Sequence, residues 1–296
     1  MLLEAVVEAM RIRVLQSKVI HTDDTPVTVQ ARGGGTYTGR FWVYAGDAQN
    51  PYIVYDYTPS RRRDGPVTFL REFVGTPEAP RYLQADAFGG YDGIYAADNG
   101  VFEVACWAHA RRRFHDARKT DVNRAHQMLA WIQQLYLIER EVKDLDATTR
   151  RALRLEKSKP ILDTIKAWLD AQHSQVLPKS PIGEAFQYAL NQWTALNRYL
   201  DDGELSIDNN VAERSLRGIA LGRKNYLFMG SDRGGRAAAI LYSLIHSAKH
   251  HDLDPFVYLR DLLLRIPTHP NKDIHLLLPD QWKTHLLPEA TAPFKL

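Results

Sequence analysis

Three acidic positions, far apart in this chain of 296 residues, have the type and setting to do chemistry. One is Asp23 or Asp24, in a β-branched stretch; the others are Asp86, after a short apolar stretch, and Glu213, in a helical run that starts after Asp208-Asn209-Asn210. Acidic residues are depleted in strands, so an adjacent pair there needs compensation such as a metal ion. Because neighbouring strand residues point to opposite faces, at most one of the pair faces a given site. A solvated Asp pair at the end of a strand is the alternative.

Carboxylates brought together at one edge of a sheet can hold Mg²⁺, which prefers oxygen ligands and keeps waters and substrate phosphate as its other ligands. Two such ions about 3.5–4 Å apart stabilise the attacking and leaving oxygens of phosphodiester transfer. The three acidic positions therefore indicate chemistry on a nucleic-acid backbone. The alternative for Glu213 is that it stabilises the first turn of its own helix and pairs with a nearby arginine.

Basic residues are clustered although the formal net charge is only +3. The clusters are Arg61–Arg63, Arg111–Arg113 and the set Arg214, Arg217, Arg223, Lys224, Arg233 and Arg236. A run of arginines is more often a solvated face than a binding site. Each cluster, however, lies near a candidate acidic residue, which favours a polyanionic partner.

The composition is typical of a globular protein, with 45% hydrophobic and 25% charged residues. Cys106 is the only cysteine, which excludes an intramolecular disulfide and fits a reducing compartment. No stretch approaches the roughly 18 apolar residues of a membrane span, so no membrane partner is expected.

Residue periodicity predicts a mixed sheet in the first third of the chain, with at least one βαβ step. The predicted elements are a helix at 1–17, a strand at 19–29 that Pro26 interrupts, strands at 39–45 and 52–57, a helix at 66–74, a strand at 82–86 ending in Asp86, a strand at 101–107 and a helix from 108 onward.

The stretch 114–200 has apolar residues at helical spacing and no strand candidate, which predicts an insert of three or more helices. The Glu213 helix is expected to end before Gly222, and a further helix to span residues 237–251. In that helix His246 and His250 are four residues apart and could share a metal ion, although the glutamate of a zinc-protease motif is absent. A capped helix is expected at Asp254-Pro255.

Four strings in this sequence resemble the DDE transposases of the insertion sequence 66 family. They are His-Thr-Asp-Asp-Thr-Pro (21–26), Leu-Gln-Ala-Asp-Ala-Phe-Gly-Gly-Tyr (83–91), Ala-Cys-Trp-Ala-His-Ala-Arg-Arg-Arg-Phe (105–114) and Ile-Asp-Asn-Asn-Val-Ala-Glu-Arg-Ser-Leu-Arg (207–217). Gly-Arg-Lys-Asn-Tyr-Leu-Phe-Met-Gly-Ser (222–231) is similar too. The resemblance covers nearly the whole chain. It implies an α/β, ribonuclease-H-like mixed sheet flanked by helices, with an all-helical insert before the last acidic residue and a helical C-terminal extension.

The resemblance also implies site residues. Asp23, Asp86 and Glu213 match the catalytic, metal-binding triad, and Asp24 stands at a position outside the first metal shell. Two Mg²⁺ ions are expected, with Mn²⁺ as a substitute. His109 and Arg112 lie in a Trp-x-His-x-Arg-Arg segment, where they could contact phosphate or order the acidic cluster; His109 could equally be a buried, satisfied residue. The expected DNA-binding residues are His109, Arg111, Arg112, Arg214, Arg217, Arg223 and Lys224.

The implied domain organisation divides the chain into five parts. These are an N-terminal helix (1–17), a first core part (18–114), the helical insert (115–205), a second core part with the Glu213 helix (206–251) and a C-terminal extension (252–296).

The implied activity is metal-dependent cleavage and strand transfer of transposon DNA ends. The partners are double-stranded DNA at the ends and the target, further copies of the chain in the DNA complex, and accessory proteins of the same element. A cytoplasmic location is expected, associated with the nucleoid when DNA is bound. Full-length family members are about twice as long, with N-terminal DNA-recognition segments and often a Cys-rich zinc-binding part. This chain is expected to lack that equipment, which is consistent with a truncated element, a remnant or a catalytic half that depends on other proteins. The alternatives to a transposase are a catalytically silent DNA-binding remnant and a ribonuclease-H-like nuclease, and the long helical insert argues against the nuclease.

Overall fold

The computed structural model describes residues 2–96 and 98–286. Their centre is a mixed sheet of five strands in the order β3-β2-β1-β4-β5, flanked by helices, which confirms the predicted α/β class. The strands are β1 (Val19–Gln30), β2 (Thr36–Ala45), β3 (Ile53–Thr58), β4 (Arg81–Gln84) and β5 (Val101–Val104). β1, β2 and β3 are antiparallel neighbours. β4 and β5 are parallel neighbours, since the Arg81 N–H donates to the Gly100 carbonyl and the Ala85 N–H donates to the Val104 carbonyl.

Helices account for most of the remaining described chain. They are α1 (Glu4–Leu15), α2 (Asp64–Phe69), α3 (Asp92–Tyr95), α4 (Trp107–Ala117), α5 (Val122–Val142), α6 (Ala147–Leu153), α7 (Lys159–His173), α8 (Pro181–Asn191), α9 (Trp193–Asn197), α10 (Asn210–Tyr226), α11 (Asp232–His250), α12 (Pro255–Arg265) and α13 (Pro279–His285). Within the described residues, none of these helices is both long enough and apolar enough to cross a membrane.

The chain forms two compact units. The first contains residues 1–82, 89–101 and 211–296, and the second contains residues 83–88 and 102–210. The second unit includes the predicted helical stretch, in which the structure places helices and no strand among residues 115–205. The five predicted domain boundaries remain a prediction, and residues 287–296 of the predicted C-terminal extension lie outside the described residues.

Strands β1 to β3 of the first unit are covered on both faces. One face contributes Val27, Val29, Phe41 and Val43 to a core with Ala212, Leu216 and Ile219 of α10 and Ala239 of α11. On the opposite face the Tyr44 ring stacks on Phe69 of α2 at a centroid distance of 3.6 Å, and Trp42 contacts Tyr91 edge to face. This alternation of buried side chains along each strand decides which face any polar residue of β1 occupies.

Two serines of α11 close the outer edge of the sheet. β3 is an edge strand, and its Ile53 and Tyr55 N–H groups donate to Ser247 Oγ at 2.9 Å and Ser243 Oγ at 2.8 Å. Both serines are fully buried. An edge strand normally presents unpaired N–H groups, so these hydroxyls replace the missing neighbouring strand and fix α11 against β3.

The prediction that Pro26 interrupts the first strand is wrong, because β1 runs unbroken from Val19 to Gln30. Thr28 O accepts from Met229 N, and Gln30 N donates to Met229 O, so the even-numbered backbone groups of β1 point away from β2. Arg223 donates to the carbonyl of Pro26 on that same side. The N–H that proline lacks would therefore not have joined the β1–β2 ladder.

Other predicted boundaries differ by several residues. β4 ends at Gln84, so Asp86 lies two residues beyond the strand, and α2 ends at Phe69 rather than continuing to residue 74. α10 continues through Gly222 to Tyr226, and α11 begins at Asp232. Ser231 caps α11 by accepting from Gly234 N. Because of this cap the helix begins before residue 237, where the apolar run had predicted its start.

The second unit has an aromatic core and one buried cation. Phe114, Phe186, Trp168 and Trp131 form a chain of ring contacts between α4, α8, α7 and α5. Arg154, with 1% of its side chain exposed, donates to both oxygens of Glu139, at 2.8 and 2.6 Å. Its remaining nitrogen donates to the Tyr199 and Asp202 carbonyls. Such a pair is stable only while both partners are present.

Replacing Glu139 by alanine should therefore destabilise the second unit by about 3 kcal/mol, because it leaves the guanidinium of Arg154 buried without its counter-charge. The measurement is the urea unfolding midpoint of the full chain by circular dichroism. Glu141→Ala is the matched control: that residue is on the same helix, and its partner Lys157 is exposed, so a change of less than about 0.5 kcal/mol is expected. Equal effects of the two substitutions would contradict the assignment.

Candidate active site

Asp23 lies on the face of β1 that α10 covers. Its side chain has the same strand parity as Val27 and Val29, and both valines pack against Ala212, Leu216 and Ile219 of α10. Glu213 follows Ala212 in the first turn of that helix, and both carboxylates are half-buried. Two of the three predicted catalytic carboxylates are thus on the same side of the sheet in the first unit.

A row of paired residues across the sheet links these two positions more closely. Asp23 pairs with Val43 of β2, and Val43 pairs with Tyr55 of β3. The Tyr55 hydroxyl donates to the Ser215 carbonyl of α10 at 2.7 Å, and Ser215 is two residues after Glu213. The bond from Tyr55 to Ser215 therefore fixes the turn of α10 that contains Glu213 to the same row of paired residues that contains Asp23.

His246 of α11 completes this buried attachment. Its Nδ1 is 2.9 Å from the Tyr55 oxygen. Because Tyr55 gives its only proton to Ser215, the ring donates from Nδ1. Burial, followed by the nearby Lys249, lowers the pKa of His246 to about 4. The same burial raises the pKa of Tyr55 well above its ordinary value, so both groups are neutral at pH 7.

Gly218 of α10 allows His246 to approach the helix. A Cβ at this position would be 2.6 Å from His246 Nε2. The spacing of His246 and His250 allows a shared metal ion, but the structure gives His246 a hydrogen-bond partner in Tyr55 and a packing partner in α10.

Asp24 points to the opposite face and is fully engaged there. Its side chain is 2% exposed, and it forms salt bridges with Arg40 at 2.9 Å and Arg61 at 2.7 Å. Asp23 Oδ1 accepts the Asp24 backbone N–H at 2.7 Å. Since two guanidinium groups occupy both Asp24 oxygens, its role is structural, and Asp23 is the member of the pair with a carboxylate on the α10 side.

Asp86 belongs to the second unit and follows β4 at a well-fixed position. Gln84, which is fully buried, donates from Nε2 to the Ser206 carbonyl at 2.7 Å and the Asp208 carbonyl at 3.1 Å. Ala85 N donates to Val104 O of β5. The residue before Asp86 is thereby held by the sheet, and Asp86 itself is half-buried.

The segment Ile207 to Asn210 is held by several bonds in the same unit. Trp107 N donates to Ile207 O, and Asn209 N donates to Cys106 Sγ at 3.2 Å. Asp208 accepts from the Tyr136 hydroxyl at 2.9 Å and from the Asn210 side chain at 2.6 Å. Asp208 Oδ1 also accepts the backbone N–H of Asn210, the first residue of α10. This part of the predicted motif therefore fixes where α10 begins.

α4 carries the predicted residues His109, Arg111 and Arg112. His109 is half-buried and both arginines are exposed, while Arg113 lies over the Tyr188 ring at 4.3 Å. Cys106, just before the helix, is buried, and burial raises the pKa of its thiol to about 11. The cysteine is therefore a neutral packing residue at pH 7 rather than a nucleophile.

The predicted DNA-binding residues of α10 differ in exposure. Arg214, Arg217 and Lys224 are exposed, whereas Arg223 is half-buried and donates to the Pro26 carbonyl. Sequence reasoning did not identify Tyr55, His246 as its partner, or Lys249 as contributors to this region. The run Lys249-His250-His251 was a usable signal, but the contact of Tyr55 with α10 depends on residues 160 positions apart.

Two family models match this chain. One, described as Transposase IS66 family, matches residues 1–237, and one described as IS66 C-terminal element matches residues 243–279. Three curated proteins of Sinorhizobium fredii (strain NBRC 101917 / NGR234), each called uncharacterized, are similar to it. The protein y4hP is 33% identical over 300 residues, covering 94% of this chain and 53% of the relative. The protein y4qI is 32% identical, and the match covers 92% of this chain and 52% of the relative. The protein y4jD is 34% identical, and the match covers 81% of this chain and 47% of the relative. The chain thus spans about half the length of the curated relatives it matches.

Asp24 and Asp23 should respond differently to substitution. Asp24→Ala is expected to lower the free energy of unfolding by about 2 kcal/mol, because Arg40 and Arg61 lose their common partner. Asp23→Asn is expected to change it by less than about 1 kcal/mol. Urea denaturation of the two variants in EDTA tests the contrast, and a larger loss for Asp23→Asn would contradict the structural role of Asp24.

The neutral His246 makes stability depend on pH. Its folded-state pKa of about 4 lies below the ordinary histidine value of 6.5, so the unfolded chain binds more protons between these values. Stability should therefore be complete above pH 6.5 and decrease as pH falls toward 4, by about 1–2 kcal/mol between pH 7 and pH 5. Lys249 opposes the protonation of His246, and Arg214 of α10 lines the same cleft. His246→Asn keeps a donor for Tyr55 but does not titrate. The difference in free energy of unfolding between wild type and variant, measured by urea denaturation, should therefore change between pH 7 and pH 5. A difference that stays constant over this range would contradict the prediction.

Proposed function

This chain belongs to the insertion sequence 66 family of transposases, and on that basis we propose that it is a metal-dependent transposase core that cleaves transposon DNA ends and joins them to target DNA. The observation that carries the proposal is the placement of Asp23 and Glu213 on one side of the sheet, in the row that Tyr55 attaches to α10. The mixed sheet with a long helical segment before Glu213 supports a ribonuclease-H-like core.

Asp23, Asp86 and Glu213 are the proposed catalytic carboxylates. The donor set fits a hard divalent cation, because carboxylate oxygens are the ligands that Mg²⁺ prefers and the competing Asp24 is occupied by two arginines. Mg²⁺, with Mn²⁺ as a substitute and two ions in all, would neutralise the charge that develops on the attacking and leaving oxygens. Asp23, Asp86 and Glu213 would hold these ions.

The protein's own contribution is to hold these carboxylates rigidly. Asp23 is fixed by the β1–β2 ladder and by its bond to the Asp24 N–H, while the Glu213 turn is fixed by the Tyr55–Ser215 bond. Catalytic groups placed on a scaffold with little freedom need no reorganisation during the reaction. Tyr55 is therefore a positioning residue rather than a catalytic one.

The reaction proposed has two steps at phosphorus. Water attacks the phosphodiester at the element end and releases a 3′-hydroxyl, which then attacks a target phosphodiester and displaces its 3′-oxygen. The proposed contacts to the DNA backbone are the exposed residues Arg111, Arg112, Arg214, Arg217 and Lys224, together with His109 and Arg223. Joining two ends requires further copies of the chain, and accessory proteins of the same element are proposed partners, in the cytoplasm at the nucleoid.

Alanine substitution of Asp23, Asp86 or Glu213 should each abolish Mg²⁺-dependent cleavage, with a loss of at least about a hundredfold. The substrate is a plasmid that carries the genomic DNA flanking the coding region, and Mg²⁺ binding in the presence of a DNA duplex is measured by calorimetry. Binding should weaken in all three variants.

The matched controls are Asp170→Ala and Glu72→Ala, which remove exposed carboxylates from the second and first units and should leave cleavage unchanged. Cleavage that survives Asp86→Ala would contradict the proposal. DNA binding without cleavage by the wild type would instead support a catalytically silent DNA-binding protein.

A further inference from the structure

A cleft that is partly lined by basic side chains lies beside the Asp23 row in the first unit. It has a volume of about 390 Å³ and is lined by residues at the ends of β2 and β3 and by α10 and α11. Its polar lining includes Arg214 and Ser215 of α10 and His246, Lys249 and His250 of α11. No acidic residue lines it among the described part of the chain.

The position of the cleft follows from the strand register. Its floor includes Ala45 and Ile53, which pair with each other, and Ala45 also pairs with His21. His21 is two residues before Asp23, so the cleft begins about 7 Å along the strands from the Asp23 row. Arg214 on its wall is the residue directly after Glu213.

The charges of the cleft are not neutralised by the protein. Arg214, Lys249 and His250 are exposed, and within residues 2–96 and 98–286 neither Arg214 nor Lys249 forms a salt bridge. His246 is committed to Tyr55 and stays neutral, so the cations that remain for a ligand are Arg214 and Lys249, with His250 beside them. Two cations in one cleft without a counter-charge attract an anion.

A cleft at the opposite end of α11 shows the contrast. About 700 Å³ in volume, it is lined by Arg32, Arg233 and Arg236 but also contains Asp232. Asp232 Oδ1 accepts from the Tyr37 and Tyr57 hydroxyls at 2.6 and 2.7 Å, and the arginines lower the pKa of this carboxyl further, after those two hydrogen bonds. That cleft already contains an anion of the chain itself, whereas the Arg214–Lys249 cleft does not.

We propose that the Arg214–Lys249 cleft binds the phosphodiester backbone of a DNA strand that continues from the Asp23 and Glu213 position. This rests on the proposed function for the identity of the polyanion, while the cleft itself is defined by its own residues. Arg214 would offer a forked donor set and Lys249 a point charge to successive phosphates, which are the usual protein groups on a DNA backbone. Such contacts hold the strand in register and carry no sequence preference.

The test measures binding without chemistry. A fluorescein-labelled 30-base-pair duplex of arbitrary sequence is titrated with protein in EDTA, and the affinity is followed by anisotropy over a range of KCl concentrations. The proteins are wild type, Arg214→Gln, Lys249→Gln, Lys249→Arg and Lys272→Gln. Lys272 is exposed in the same unit and does not line the cleft, so it is the matched control for removing one positive charge.

Each phosphate contact contributes about one unit to the slope of log affinity against log salt concentration. Arg214→Gln and Lys249→Gln should each reduce the magnitude of the slope by about one unit, Lys249→Arg should restore it, and Lys272→Gln should leave it unchanged. Circular dichroism checks that the variants keep the wild-type unfolding midpoint, as expected for exposed side chains.

Equal slopes for Lys249→Gln and Lys272→Gln would overturn the proposal, even if the wild type cleaves DNA. Conversely, a reduced slope for the cleft variants would support the subsite even if no variant or wild type cleaves DNA in Mg²⁺, which would count against the proposed function alone. A wild type that does not bind the duplex at low salt would overturn the subsite, whatever the outcome of the cleavage assay.

Discussion

The hydrogen bond from the Tyr55 hydroxyl to the Ser215 carbonyl is the interaction on which the arrangement of the first unit depends. It connects an edge strand to the helix that carries Glu213, and His246 donates to the same oxygen from a second helix. Ser243 and Ser247 attach that second helix to the N–H groups of the same strand. Because a buried donor or acceptor that loses its partner is costly, these polar contacts specify one position of α10 and α11 along the sheet. Apolar packing alone would permit small slides of a helix across the valines.

The strict alternation of strand side chains assigns different roles to two chemically identical neighbours. Asp23 and Asp24 have the same side chain, yet one points to the α10 side and the other toward Arg40 and Arg61. The two arginines form salt bridges with both oxygens of Asp24 and tie three segments of the first unit together. Asp23, by contrast, keeps its carboxylate on the face where Glu213 is found. A strand can thus place a structural carboxylate next in sequence to one that is proposed to be catalytic, on opposite faces of the sheet.

Local patterns predicted the element types well and their ends less well. The β-branched runs, the helical spacing after residue 114 and the Asp254 cap all lead to elements that the structure contains, because these signals depend on neighbours in sequence. The predicted break at Pro26 was wrong. The strand tolerates this proline because residue 26 faces away from the β1–β2 ladder, toward Arg223 and Met229, which are about 200 residues later in the chain. The same limit applied to Asp24, because its partners Arg40 of β2 and Arg61, which follows β3, lie on or just after later strands of the sheet. It applied also to Tyr55, which the sequence did not distinguish from the other aromatic residues of the sheet.

The sequence motif around residue 210 combines two kinds of information that cannot be separated without the structure. Ile207, Asp208 and Asn209 are bound to Trp107, Tyr136, Gln84 and Cys106 within the second unit, so their chemistry is used to fix the start of α10. Glu213 and Arg214, three and four residues after Asn210, belong to the first unit and are the residues with functional proposals. A run of polar residues before a helix is usually interpreted as a cap. Here Asp208 accepts the N–H of Asn210, the first residue of α10, so its bond lies at the helix start without being an N-cap bond. The position of that start matters, because an error of one residue would rotate Glu213 by about 100° around the helix axis.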